Sequence, residues 1–228
     1  MLSLYKFGDN RPYWKYFSMD GVFMQKLTRF IWSLVLLLVL FCIGGLLADR
    51  QHLRNGIIRL HVVAASDDQE DQAVKLAVKD AIVDYLNDQH ISLQADKDNA
   101  YAFIQMHLHD IEMVANTTLM ELGDNASADV SLGKTEFGTR NYDTFSLPAG
   151  VYDSLQVTIG EGSGQNWWCV IFPSLCAPNN TAVFCDVAVS AGMNNGLAGA
   201  LSNDQGGEVR FFFLDCIGKI ENLFHFQS

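Results

Sequence analysis

Nineteen consecutive residues, Phe30 to Ala48, carry no charge, and Ser33 is the only hydroxyl among them. As a helix rising about 1.5 Å per residue, such a run just crosses a hydrocarbon core of roughly 30 Å. Lys26 and Arg29 directly precede it, Lys6, Arg11 and Lys15 lie further out, and Asp49 follows. The excess of cations on the N-terminal side keeps that end in the cytoplasm. The sequence therefore divides into a cytoplasmic n-region over 1–29, a signal anchor or signal-peptide core over 30–48, and an exported domain over 50–228. Cleavage after Ala48 would place Leu46 where signal peptidase prefers a small residue, so an uncleaved anchor is the first reading and a cleaved signal peptide the second. Met19 and Met24 offer alternative starts that would shorten the n-region.

The exported part, about 180 residues, is long enough for one domain with a core of its own. Leaving out the first 29 residues, it carries ten Lys and Arg against 24 Asp and Glu. A surface this acidic repels phosphate backbones and anionic headgroups, which disfavours both nucleic acid and peripheral membrane binding and points to a protein or neutral wall partner. Cys42 lies in the apolar span, leaving Cys169, Cys176, Cys185 and Cys216 outside it. Export permits disulfides among these four. Cys169 and Cys176 form the local candidate, with Pro173 favouring a turn between them. Cys185 with Cys216 is a possible second pair that spacing does not support.

The pattern of the exported part is α+β: the N-terminal transmembrane or signal helix is followed by one mixed α/β domain with a disulfide-fixed loop. Ile57 to Ala64 reads as a buried strand. Ser66, Asp67 and Asp68 offer an N-cap with a capping-box partner at Gln69 or Glu70. The helix that follows places Val74, Val78, Ala81, Ile82 and Tyr85 on one stripe, with Asp71, Lys75, Lys79 and Asp84 wet, and stops near Leu86 to Asp88. After a polar loop through Asp96 to Asn99, apolar residues from Ile104 to Leu122 recur at helical spacing and Gly123 ends the helix. Strands are expected at Ala128 to Leu132, at Val151 to Ile159 with one wet face, at Trp168 to Phe172 and at Val209 to Leu214. A closing helix spans Ile217 to Phe226, and Thr181 to Gly207 holds at most a short helix near Asn194 to Leu201.

Chemistry is sparse. His107 and His109 stand about 200° apart on a helix and cannot share one metal. His61 alternates with apolar strand residues and reads as a satisfied core or edge histidine. Gly160, Gly162 and Gly164 follow a strand as phosphate loops do, but no Lys-Ser/Thr follows and Glu161 would repel phosphate. They read as a turn in which glycine permits positive φ or close backbone approach. Cys169 as a nucleophile with His61 as base lacks an orienting group. The residues thus assign no catalytic group, no metal and no cofactor. If Gly160 to Cys176 is extended after its turn, Trp167 and Trp168 face opposite sides, one for the core and one available to a partner or a neighbouring loop; the equal alternative is that both pack inward around the glycine turn.

Three segments, IRLHVVAASDDQEDQAVKLAVKDAI at Ile58 to Ile82, LPAGVYDSLQVTIGEGSGQNWWCVIFPSLC at Leu147 to Cys176, and EVRFFF at Glu208 to Phe213, together resemble the stage II sporulation protein R family. His61, Ser66, Asp67, Gly160, Glu161, Gly162 and Gly164 carry the signature. Ala65, Gly138, Ser174 and the LDCIGKI tail depart from it. The resemblance implies a non-enzymatic signalling protein of endospore formers, exported from the forespore into the space between the septal membranes. There it would be required for a membrane-embedded aspartic protease to process the precursor of the mother-cell sigma factor, sigma-E. Asn166, Trp167, Trp168, Cys169, Phe172 and Pro173 are the expected contact surface on that protease. A cell-wall binding or hydrolysing protein using the Trp-Trp-Cys loop is the alternative.

Overall fold

The structure is a computed structural model describing residues 21–91, 94, 96–174, 181–190, 193, 195–202 and 208–225. Most of the n-region, Cys176 and the end of the Trp-Trp-Cys loop lie outside them. The chain divides into two compact units at Gly44 and Gly45. The first holds the start of α1 (Gly21–Gly56), which is long and apolar enough to cross a membrane by length and composition. The last three turns of α1 belong to the second unit, where Leu53 is buried and Leu46 packs beside it.

Elements of the second unit run β1 (Ile58–Val63), α2 (Gln69–Asp88), α3 (Lys97–Met106), α4 (Leu108–Glu121), β2 (Ala128–Phe137), β3 (Arg140–Asn141), β4 (Ser146–Leu147), β5 (Gly150–Ile159), β6 (Asn166–Phe172), α5 (Thr181–Ser190), α6 (Asn195–Leu201) and α7 (Glu208–His225). The main sheet has the order β2-β5-β1-β6, with β1 parallel to β5 and antiparallel to β6. Strand alternation sends Ile58, Leu60, Val62, Leu155, Val157 and Ile159 to one face, where Val74, Val78 and Ile82 of α2 and Ile104, Ile111 and Ala115 of α3 and α4 cover them. On the other face Tyr152, Val170 and Phe137 join Leu53, Phe145, Phe184, Leu197 and Leu214 in a second cluster. The mixed helix-and-sheet class read from the sequence is the one observed.

Several local expectations change. Val209 to Leu214 is not a strand but the start of α7, because the aromatic run continues the helical stripe that packs Leu214 into the second cluster. One helix from Ile104 to Leu122 becomes two: the His107 amide bonds the carbonyls of both Phe103 and Ile104, and His107 O accepts from Ile111 to start a new helix. The loop at Asp96 to Asn99 is instead an N-cap and first turn, Asp96 accepting from the Asn99 amide at 2.9 Å. Gly123 does end α4, at φ 76°. No capping box forms on α2, where Ser66 Oγ accepts from the Asp68 amide and Asp68 caps without a side-chain bond. The wet face expected of β5 is covered at Tyr152 and Ser154, since β5 is an interior strand with a cluster on each face. Helix α5 was not anticipated in a stretch whose flanks are glycine and asparagine. No disulfide joins Cys185 to Cys216, so the possible second pair does not form among the described residues.

Helix α7 is fastened along one side. Arg50 and Arg54 both bond Glu221, the second at 2.8 Å. Asp215 accepts from the Ala149 amide at 2.8 Å, Thr139 Oγ1 at 2.5 Å and Lys219 Nζ at 2.8 Å. Gly218 lies so close to Ala149 that an added Cβ would overlap its carbonyl oxygen. Burial alone would raise the Asp215 carboxyl, but the bonds from Ala149, Lys219 and Thr139 outweigh it and hold the group below the usual carboxylate range.

Candidate functional site

The strand order forces the chain's most unusual contact. Strands β5 and β6 flank β1, so their connection must pass over the end of β1 just where the chain leaves toward α2. Gly160 and Gly162 adopt φ 57° and 61°, which only glycine takes without strain. Gly164 then presses on the departing chain, where a Cβ would overlap the Ser66 carbonyl. The two segments are joined by the Ser163 and Gly164 amides donating to Ala65 O and Ala64 O at 3.2 and 3.0 Å. Ser163 Oγ adds a bond to Ala65 O at 2.7 Å. These glycines therefore make a crossing rather than a phosphate cradle.

Lys75 completes the crossing from α2. Expected to be wet, it is 4% exposed and donates to Gln165 O at 3.1 Å and Gln72 Oε1 at 2.6 Å. Gln72 Nε2 reaches Ser66 O at 2.7 Å. Desolvation lowers the pKa of the Lys75 ammonium, partly countered by Asp67. Asp67 and Glu161 themselves stay exposed.

Beside the crossing, β1 and β6 run antiparallel with His61 opposite Trp168 and Val63 opposite Asn166. His61 Nε2 donates to Asn166 Oδ1 at 2.7 Å, and its ring stacks on Trp168 with centroids 3.8 Å apart. The Arg140 guanidinium lies 4.8 Å from the Trp168 ring, and Phe137 meets the same indole edge-on at 4.8 Å. Arg59, two residues from His61 on the same face, is fully buried. It packs its guanidinium 3.8 Å from the Phe137 ring and donates to Tyr142 Oη at 3.1 Å. Its Nε and Nη1, Arg140 Nε and His61 Nδ1 are buried without a hydrogen-bond partner. The result is a cationic, aromatic patch inside an acidic domain.

Burial lowers the pKa of Arg59, and it raises that of Tyr152 to about 12. Desolvation, with Arg59 and Arg140 nearby, also lowers the His61 pKa from 6.5, against the opposing bond to Asn166. The folded imidazole thus stays neutral at pH values where the unfolded one takes a proton. Stability is complete above 6.5 and is lost as the pH falls below it. Acidification from about pH 7 to about pH 5 is expected to destabilise the wild type more than His61→Gln in denaturant titrations, and equal losses would refute this linkage.

The two tryptophans part as alternation predicts. Trp168 packs into the second cluster, whereas Trp167 is 37% exposed with Lys79 Nζ 5.2 Å from its ring. Asn166 is exposed beside it. Cys169 is buried among the first cluster, on the face opposite His61, so the two cannot act as nucleophile and base. It is not among the free cysteines, and its expected partner Cys176 lies outside the described residues. Phe172 and Pro173, at the far end of β6, are buried, with Pro173 edging a half-open cleft of about 330 Å³ formed with Ser174, Asp186 and Val187. The structure therefore gathers His61, Ser66, Asn166, Trp168 and the glycines at one end of the sheet and leaves Phe172 and Pro173 at the other. Sequence reasoning missed Arg59 and Arg140. A charge two residues from His61 in an apolar strand was the available signal for the first.

Among the described residues, no group of three or more His, Cys, Asp or Glu is placed to hold a metal. A family model described as stage II sporulation protein R matches residues 54–182, from the end of α1 past β6. Stage II sporulation protein R of Bacillus subtilis is 35% identical over 119 residues, covering 52% of this chain and 53% of that protein. The chain thus spans about half the length of the curated relative it matches. No solved structure matches.

Proposed function

Because this chain belongs to the stage II sporulation protein R family, a family of sporulation proteins, we propose that it is a signalling protein without catalytic residues of its own. It is exported from the forespore into the septal intermembrane space and stays attached through α1. There it triggers a membrane-embedded aspartic protease, by protein contact, to process the precursor of sigma-E. The observation that carries this reading is the family match itself, which takes in both halves of the signature and the crossing that joins them. The apolar helix with its basic N-terminal flank supports attachment and export.

The contact surface is the exposed edge at Asn166 and Trp167, backed by Trp168 and His61. A bond between Cys169 and Cys176 holds the far end of β6, consistent with Cys169 not being free. An aromatic side chain on a rigid strand supplies contact area with little ordering loss on binding. The test is complementation. Expressed in sporulating Bacillus subtilis lacking its own stage II sporulation protein R, the chain is expected to restore sigma-E precursor processing on immunoblots. An exported, stable chain that leaves the precursor uncleaved would refute the proposal.

A further inference from the structure

Two arginines on the His61 face of the sheet lack an acid. Other cations of the second unit find one: Arg50 and Arg54 share Glu221, Lys97 meets Asp153 and Lys219 meets Asp215. Among the described residues neither Arg59 nor Arg140 forms an ion pair, although acids outnumber bases 24 to ten after residue 29. A shortage of acids therefore does not explain the gap. Arg59 is sealed in, its Nε and Nη1 without partners and its guanidinium resting over Phe137 and, at 5.2 Å, Tyr152. Burying an unpaired guanidinium is unfavourable, and the aromatic rings offset only part of that.

Arg140, at the start of β3, stands nearer solvent. Its Nε is buried, but its two Nη groups are not, and no hydrogen bond holds them among the described residues. Contact with the Trp168 indole restrains the guanidinium and leaves its fork of parallel N–H donors, the shape that fits a carboxylate. We propose that Arg140 receives a carboxylate from an acidic side chain of the partner protein, in a subsite walled by Trp168 and His61 with Arg59 as a fixed charge behind it. Strand β6 is an edge of the main sheet, with Trp167 turned to one face and Trp168 to the other. A partner segment gripping that edge meets Trp167 on one side and Arg140 on the other. The inference deepens, and rests on, the reading that this edge is a protein contact. The net negative charge of the domain does not oppose it, because at about 0.1 M salt charges more than about 10 Å away are screened, whereas a pair in contact is not.

The test uses the full chain in detergent micelles and follows the Trp168 indole N–H signal by NMR while blocked tripeptides are added, glycine flanking either glutamate or glutamine. The glutamate tripeptide is expected to shift that signal saturably and to bind about tenfold more tightly than the glutamine one. Arg140→Lys keeps the charge but not the fork, and is expected to weaken glutamate binding about fivefold, with a larger loss in Arg140→Gln. Dispersed amide signals show that each variant folds. Equal binding of the two tripeptides, no saturable shift, or undiminished binding by the folded variants overturns the proposal. Tighter binding of inorganic phosphate than of the glutamate tripeptide also overturns it, since the site then takes a phosphate group. Only purified chain and peptide are involved, so failure here is distinct from failure of the signalling reading, which complementation tests.

Discussion

Gly164→Ala is expected to destabilise the mixed helix-and-sheet unit by about 3 kcal/mol or more, a large effect for one methyl group. The added Cβ meets backbone, the carbonyl of Ser66, rather than a side chain that can rotate away. Relief requires moving either the β5–β6 connection or the chain leaving β1. Both are tied to each other by the Ser163 and Gly164 amides and to α2 by Lys75 and Gln72. Gly133→Ala is the reference, because nothing lies within 4 Å of a Cβ at that position in β2. It is expected to change stability by less than about 0.5 kcal/mol. Denaturant titrations of both variants decide the matter, and equal midpoints would show that the crossing is not tight.

Trp168→Ala and Trp167→Ala are expected to fail for different reasons. Trp168 is stacked on His61, approached by Arg140 and packed edge-on to Phe137, so its removal should lower stability by about 2–4 kcal/mol. Trp167 is partly turned to solvent with Lys79 Nζ 5.2 Å from its ring, so its loss should cost less than about 1 kcal/mol. Trp167→Ala is nevertheless expected to abolish sigma-E precursor processing in the complemented strain while accumulating at the wild-type level. Normal processing by a stable Trp167→Ala chain would move the contact surface elsewhere. A Trp168→Ala chain that folds normally but signals poorly would instead place that surface on the His61 face.

Much of this arrangement was legible beforehand, for physical reasons that differ by element. Alternation marked β5, a continuous apolar and β-branched run marked β1, and Gly123 marked the end of α4, because those signals are local. Strand geometry offered opposite faces for Trp167 and Trp168 but left open that both pack inward, which the structure decides for the former. Lys75 could not be read as buried, since its partner is a loop carbonyl at Gln165, distant in sequence. Nor could the covered face of β5, which depends on its interior place in the sheet. Val209 to Leu214 read as a strand because aromatic runs favour both states at short length, and only packing of Leu214 against the second cluster selects the helix. The glycines were recognised as a turn, but the reason for them, a connection crossing over β1, required the strand order.

That strand order also constrains how the domain comes into being. Arg59 of β1 pairs with Ser154 of β5 on one side and Val170 of β6 on the other, both far downstream. The first strand to emerge from an N-terminally threaded chain therefore has neither neighbour until nearly all of the sheet has followed it. Contacts of such long sequence separation close slowly. During that delay Ile58, Leu60 and Val62 present an unpaired apolar edge to their surroundings, a recognised route to aggregation. Slow closure of the sheet around β1 follows from that topology.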